Sequence, residues 1–311
     1  MKTLLTNLDF SRLPLIALIT ATLIIPSNQL TSCRSTTGPV NPVRILGKTG
    51  VEYAYPHFSN DGKRILFESN ETGFWRLCVL TLQNDQIDVL TGDSVNSYFP
   101  DWSPDNSRIC FVSDSTGNEE IYLMNSDGSH ITQLTHNGAR NIHPYWSPNG
   151  SKILFNSTMA SPDNLEIFQM KPDGTGITRI TQTSDQETCA RLFADSDRIV
   201  YLRNNNHGLD DIFMMSLNDS SVTNLTNTPA RDGWPTWTPD GSAVVYATID
   251  NGSFKLFRYN IADGSRRRLT DPPSGSDDCR ANVSPDGKRI VFNRQTDDKN
   301  GRTNAIWILS L

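Results

Sequence analysis

The chain repeats itself. Aligned on the residue before a Ser-Pro-Asp-Gly-like turn, Phe58, Trp102, Trp146, Leu192, Trp237 and Val283 fall at steps of 44, 44, 46, 45 and 46 residues. A period in this range marks an architecture of stacked supersecondary units, none of which can bury its apolar face alone. Each copy carries the same signals in the same order. A turn comes first: Asn60-Asp61-Gly62, Pro104-Asp105-Asn106, Pro148-Asn149-Gly150, Pro239-Asp240-Gly241 and Pro285-Asp286-Gly287, with a degenerate fourth copy at Ala194-Asp195-Ser196. Pro presets φ, Asp or Asn closes the turn through its side chain, and Gly or Asn tolerates positive φ. An apolar, β-branched run follows ("RILFES", "RICFVS", "KILFNS", "RIVYLR", "AVVYAT", "RIVFNR"), then a second run such as "EIYLMN" or "EIFQMK". An Asp-Gly hairpin signal recurs at Asp127-Gly128, Asp173-Gly174 and Asp263-Gly264, and a last short run ends in Leu-Thr or Ile-Thr.

No sustained helical periodicity appears after residue 33. Short strands in this number per repeat predict an all-β fold, a six-bladed β-propeller with four antiparallel strands in each blade. The aromatic residue before each turn is expected in the packing between blades, where large apolar side chains belong. The sixth repeat stops at Leu311 without an outermost strand, while Val43 to Leu46 stand ahead of the first repeat, with Leu46 as far from Pro56 as Leu134 is from Pro144. The N-terminal strand is therefore expected to close the last blade, which leaves no blade edge open to other chains.

The pattern P-x-W-S-P-D-G-x-x-I-x-F-x-S…G…I-Y-x-M-N-x-D-G…L-T, followed nearly residue for residue from Pro100 to Thr135, resembles the TolB-type propeller. This is the Pro-Asp relative of the WD-type repeat, found in exported bacterial proteins. The resemblance covers residues 43–311. It implies six blades and a protein-binding role; TolB itself binds a peptidoglycan-associated lipoprotein in the cell envelope. Only about ten residues separate Cys33 from the first strand, so the α/β domain that precedes the propeller in TolB is expected to be absent. Without that domain, the resemblance does not by itself imply the Tol partnership.

The N-terminus differs in kind. Lys2 and Arg12 precede an uncharged apolar run from Leu13 to Ile25, too short to span a bilayer but suited to the core of a signal peptide. Leu30-Thr31-Ser32-Cys33 resembles the bacterial lipobox, in which the cysteine becomes the lipidated first residue; Asp9 and the polar Ser27-Asn28-Gln29 depart from that pattern, and plain secretion is the alternative. The expected organisation is a lipoprotein-type signal peptide over 1–32, a tether over 33–42 and the propeller over 43–311. The protein is thus expected in the periplasm or on the outer surface, anchored at Cys33, and touching membrane only through that anchor. A net charge of −6 argues against nucleic acid, whose phosphates demand clustered Lys and Arg. Cys78, Cys110, Cys189 and Cys279 form no CxxC; the first two lie in neighbouring repeats and are the pair considered for a disulfide.

Catalytic signatures are lacking. There is no G-x-S-x-G and no H-E-x-x-H, and His57, His130, His136, His143 and His207 are scattered through the repeats. The polar stretch from Asn204 to Asp211 lacks the ligand spacing of a calcium loop. No catalytic residue, metal or cofactor is assigned, and a monomer is expected. What remains is the channel mouth, where loops of successive blades converge. The residue before each Pro or Ala that opens a repeat is Tyr55, Phe99, His143, Cys189, Trp234 and Arg280; two residues earlier lie Tyr53, Ser97, Asn141, Glu187, Asp232 and Asp278. These positions vary where the rest of the repeat is uniform, and aromatics and Arg are the residues of binding hot spots. Tyr55, Phe99, His143, Trp234, Arg280, Asn141, Asp232 and Asp278 are accordingly the expected contacts for an envelope protein or peptide. The rival expectation is a channel-sited enzyme or glycan binder of the lyase or glycosidase kind, built on Glu187, Asp232 and Asp278, which needs those carboxylates to converge.

Overall fold

A computed structural model of the chain describes residues 41–193, 197–204, 210–298 and 301–311. The expected signal peptide, Cys33, most of the expected tether, the degenerate turn at 194–196 and His207 lie outside the described residues. Strand β1 (Val43–Leu46) precedes the first blade, β2 (Tyr53–Phe58), β3 (Arg64–Ser69), β4 (Arg76–Thr81) and β5 (Gln86–Val89). The second blade is β6 (Ser97–Trp102), β7 (Arg108–Ser113), β8 (Glu120–Asn125) and β9 (Thr132–Gln133); the third is β10 (Asn141–Trp146), β11 (Ile153–Ser157), β12 (Glu166–Met170) and β13 (Thr178–Arg179). The fourth is β14 (Gln186–Leu192), β15 (Arg198–Asn204), β16 (Asp210–Ser216) and β17 (Val222–Asn224); the fifth is β18 (Asp232–Trp237), β19 (Ala243–Asp250), β20 (Ser253–Asn260) and β21 (Arg266–Arg268). The sixth is β22 (Ser276–Val283), β23 (Arg289–Asp298) and β24 (Gly301–Ser310).

Each blade is a four-stranded antiparallel sheet, and the sixth runs β22-β23-β24-β1, with Val43 paired to Ile308 and Arg44 to Trp307. The N-terminal strand closes the ring, as its spacing predicts. The sequence signals have direct physical causes. In the turns, the hydroxyl of Ser59, Ser103, Ser147, Thr238 or Ser284 donates to the Asp or Asn two residues on, and accepts the N–H five residues on at 2.8–3.0 Å. The Thr of each Leu-Thr or Ile-Thr (Thr91, Thr135, Thr181, Thr226, Thr270) accepts the N–H of the third strand's Leu77, Ile121, Ile167, Ile212 or Leu256 at 2.9–3.0 Å. Both motifs satisfy backbone groups at strand ends that would otherwise be buried without a partner.

The core lies between blades rather than inside any one of them. Trp102 packs with Leu66, Leu77 and Val79 of the first blade and Ile109 and Phe111 of its own; Trp146 does the same with Cys110, Ile121 and Leu123. A guanidinium caps four of these junctions: Arg64 over Trp102 (4.6 Å), Arg108 over Trp146 (5.1 Å), Arg198 over Trp237 (5.4 Å) and Arg289 over Phe58 (5.1 Å). Where the next blade offers Leu192 or Val283 instead of an aromatic ring, the capping position holds Lys152 or Ala243. Arg at this position thus goes with an aromatic ring on the next blade at four junctions and is missing at the two that lack the ring. Cys78 and Cys110 sit in different junctions, sixth–first and second–third, and the four described cysteines are free buried thiols, so the considered disulfide does not form.

Candidate functional site

Every inner strand is interrupted at the same place. Pairing shifts by one residue between Ala54 and His57, Tyr98 and Asp101, Ile142 and Tyr145, Thr188 and Arg191, Gly233 and Thr236, and Cys279 and Asn282. At each bulge the first inserted residue is left-handed: Tyr55 (φ 48°), Phe99 (53°), His143 (51°), Cys189 (56°), Trp234 (50°) and Arg280 (54°). None is glycine, so each costs roughly 1–2 kcal/mol of backbone strain. The bulge breaks the side-chain alternation of the strand and brings these residues together. Phe99 meets His143 at 4.3 Å and Tyr55 at 4.7 Å between ring centroids. The Arg280 guanidinium lies 4.7 Å from the Tyr55 ring and 5.0 Å from Trp234. Cys189 Sγ is 3.9 Å from His143 Nδ1.

The preceding blade holds this strain in place at three junctions. Phe99 N–H donates to Glu68 Oε2 (2.8 Å), Cys189 N–H to Asn156 Oδ1 (3.1 Å) and Tyr55 N–H to Asn293 Oδ1 (3.0 Å). The amide groups of Asn156 and Asn293 also donate back to the carbonyls of Glu187 (2.8 Å) and Tyr53 (2.5 Å). A second layer lies beneath: His57 Nδ1 bonds Asp101 Oδ1 at 2.9 Å, the His57 and Tyr145 rings stack at 6.1 Å, and Arg191 lies on Tyr145. The cavity left between the layers is about 10 Å³, so side chains fill the axis. Burial pushes His143 down to about 3, with Arg191 and Arg140 adding to the effect, so it stays neutral at ordinary pH.

The plug separates two cavities. One, of about 330 Å³ on the side of the turns, is lined by Trp102, Trp146, Trp237 and the turn prolines. The other, of about 310 Å³, lies where inner strands begin and is lined by Glu52, Glu68, Trp75, Tyr98, Phe99, Glu119, Arg280 and Asn304 among others. Of the expected contacts, Tyr55, Phe99, His143, Trp234 and Arg280 come together in the bulge ring. Asn141, Asp232 and Asp278 do not reach an open mouth: they are 0%, 3% and 0% exposed. Asn141 Nδ2 bonds Glu120 Oε2 and Asn137 Oδ1, both at 2.8 Å, and Asp278 is held by two bonds from Arg294 (2.6 and 2.8 Å). Burial pushes Asp232 up to about 6; the hydroxyls of Thr226 and Thr248 face it, but neither oxygen gains a full hydrogen bond. Glu187, also fully buried, is paired with Arg203 at 2.6 Å. The carboxylates an enzyme reading relied on are each sealed in their own blade and do not converge.

Sequence reasoning missed Glu52, Glu68, Trp75, Glu119 and Asn304. A signal existed for one of them: Glu68 interrupts a buried apolar run, as Asn156 and Asn293 do, and a buried polar residue needs a partner. Burial pushes the Glu68 carboxyl up to about 7 from an ordinary 4.5, against the opposing pull of the Phe99 amide and Arg280. The folded chain therefore holds this proton more tightly than the unfolded one. Its contribution to stability is intact below pH 4.5 and lost as pH rises through about 7. Glu68→Gln keeps an acceptor for Phe99 N–H. It is expected to stabilise the protein by about 2–3 kcal/mol at pH 8 and hardly at all at pH 4. Thermal melts at the two pH values check this; an equal shift at both would refute it.

A family model described as the TolB beta propeller domain matches residues 41–208 and 204–306. The chain belongs to the TolB β-propeller family. Among solved structures, this TolB-type propeller is similar to TolB from Acinetobacter baumannii (TM-score 0.57, 20% identity, 83% of this chain and 54% of that one). It is also similar to an oligogalacturonate lyase from Vibrio parahaemolyticus (TM-score 0.57, 15% identity, 88% and 94%). An uncharacterized protein of Agrobacterium fabrum is 29% identical over 82 residues, 26% of this chain and 27% of that protein. The propeller thus spans about half of the Acinetobacter TolB chain and about a quarter of the Agrobacterium protein. At these identities the structural likenesses speak to fold alone.

Proposed function

We propose that this TolB-type propeller is an exported, lipid-anchored, non-catalytic binding module that holds a segment of another envelope protein on the face where its inner strands begin. One observation carries the reading. Phe74 is 40% exposed on that face, and half-buried Trp75, Tyr98 and Phe99 stand beside it around the 310 Å³ cavity. Aromatic side chains grouped at a concavity are the usual anchors of protein recognition. The filled axis supports binding on the face rather than threading through the ring. The alternative, a lyase-like site, finds less support, because the carboxylates it would use, Glu187, Asp232 and Asp278, are buried and offer no convergent pair.

Crosslinking and affinity capture from intact envelopes test the reading. A Phe74→Ser/Trp75→Ala variant with an unchanged melting midpoint is expected to lose at least about tenfold of a partner that the wild type retains, as removal of aromatic anchors does. Identical partner lists would sink it. Cys33→Ala is expected to move the protein from the membrane fraction to the soluble one, and retention in the membrane would remove the anchor from the reading.

A further inference from the structure

We infer that the cavity between the first, second and sixth blades is a subsite for a cationic side chain, an arginine guanidinium or lysine ammonium, on the bound segment. This rests on the partner-binding reading above and names the chemistry of one contact. Three carboxylates line the cavity. Glu119 is committed: it pairs with Arg140 and accepts the Tyr98 hydroxyl at 2.9 Å. Glu52 and Glu68 are in no ion pair among the described residues, and Glu68 is only 4% exposed. The one guanidinium in the lining, Arg280, is held against the rings of Tyr55 and Trp234. With Glu68 ionised, two carboxylates outside any ion pair against one fixed guanidinium leave the cavity negative.

A second and independent feature points the same way. Asn304, from β24, lines the cavity at 2% exposure, and its Oδ1 has no hydrogen-bond partner. A buried acceptor without a donor is costly and rare enough to demand an account. Ionised carboxylates and an amide oxygen accept and do not donate, so the group that completes Glu52, Glu68 and Asn304 is a donor. A guanidinium supplies several donors and one positive charge, and the flat rings of Trp75 and Tyr98 in the same wall suit its face. An anionic ligand would meet like charge. A bare metal ion fits poorly, since no three metal-ligating side chains cluster among the described residues.

The Glu68 proton gives the site a pH dependence. The charged or titratable groups that face it are Glu52, Arg280, Glu119 and the Tyr55 phenol, and the Phe99 amide donates to it. With its carboxyl pushed up to about 7, Glu68 is mostly neutral at pH 6 and mostly ionised at pH 8, so a permanent cation binds better at the higher pH.

The test uses N-acetyl-arginine amide as the probe and its neutral isostere, N-acetyl-citrulline amide, on the full chain, read by the indole NMR signal of Trp75. The arginine probe is expected to shift that signal with a dissociation constant on the order of a millimolar. Affinity should be several-fold tighter at pH 8 than at pH 6. Glu68→Gln should weaken it about tenfold and the half-exposed Glu52→Gln about threefold, consistent with loss of charge-assisted contacts. Equal shifts from citrulline, or unchanged affinity in both variants, would overturn the inference. If the probe fails while Phe74→Ser/Trp75→Ala still loses its partner, the cation subsite falls and the partner-binding reading stands. If the probe binds as expected while the partner list is unchanged, the subsite stands and that reading falls.

Discussion

Deletion of residues 43–47 is expected to lower the thermal midpoint by about 10 °C and to make the protein associate. Strand β1 supplies the ladder to β24 and lays Ile45 and Leu46 on the core shared by the sixth and first blades, beside Ile308. Removing two half-buried aliphatic side chains and several hydrogen bonds costs about 3–5 kcal/mol. For a domain of this size each kcal/mol moves the midpoint by about 2–4 °C. The loss goes beyond stability, because the deletion exposes the stretch of β24 from Ile306 to Ile308 as an unpaired edge. Calorimetry with size-exclusion chromatography reads both effects. An unchanged midpoint would show that the ring does not depend on this strand.

Asn293→Leu is expected to be as damaging while removing no strand at all. This side chain, fully buried, accepts the N–H of Tyr55 and donates to the carbonyl of Tyr53 across the junction between the last and first blades. Leucine fits the apolar run around it but orphans both backbone groups, at about 1–3 kcal/mol each. It also frees a left-handed Tyr55 whose strain the bond holds. A loss of about 3–5 kcal/mol is therefore expected by chemical denaturation. Asn156→Leu should act alike at the third–fourth junction, where the same two bonds recur. A loss below about 1 kcal/mol in both variants would mean that the bulge holds itself, since that is the net value of an ordinary hydrogen bond.

The sequence made the ring legible because its signals are local. Ser-Pro-Asp-Gly turns and Leu-Thr ends each satisfy backbone groups a few residues away, so they recur wherever a blade recurs. Even closure could be read, since Leu46 keeps the spacing of an outer strand. The site was less legible. Variation at the start of each inner strand suggests an open rim, and two of the residues it selects, Phe99 and Arg280, line the cavity there. It equally selected Asn141 and Asp278, which vary because each fits a different buried partner, Glu120 or Arg294. The left-handed turn at Tyr55 and its counterparts left no trace, because nothing in a Tyr, Phe or Trp announces positive φ. The acidic cavity was invisible for another reason: Glu52 and Asn304 belong to opposite ends of the chain and meet only when the ring is shut.

That closure has a bearing on how the chain matures. Five sheets are drawn from contiguous stretches, whereas the sixth needs Val43 and Ile308 together. A chain that emerges N-terminus first can assemble the first five blades as they arrive. Strand β1 must wait, unpaired, until β24 is made. Long-range pairing of this kind is slow and leaves sticky intermediates exposed. The step that finishes the protein is thus also its most hazardous moment, when an unclasped propeller is open to whatever shields nascent chains and to whatever degrades them.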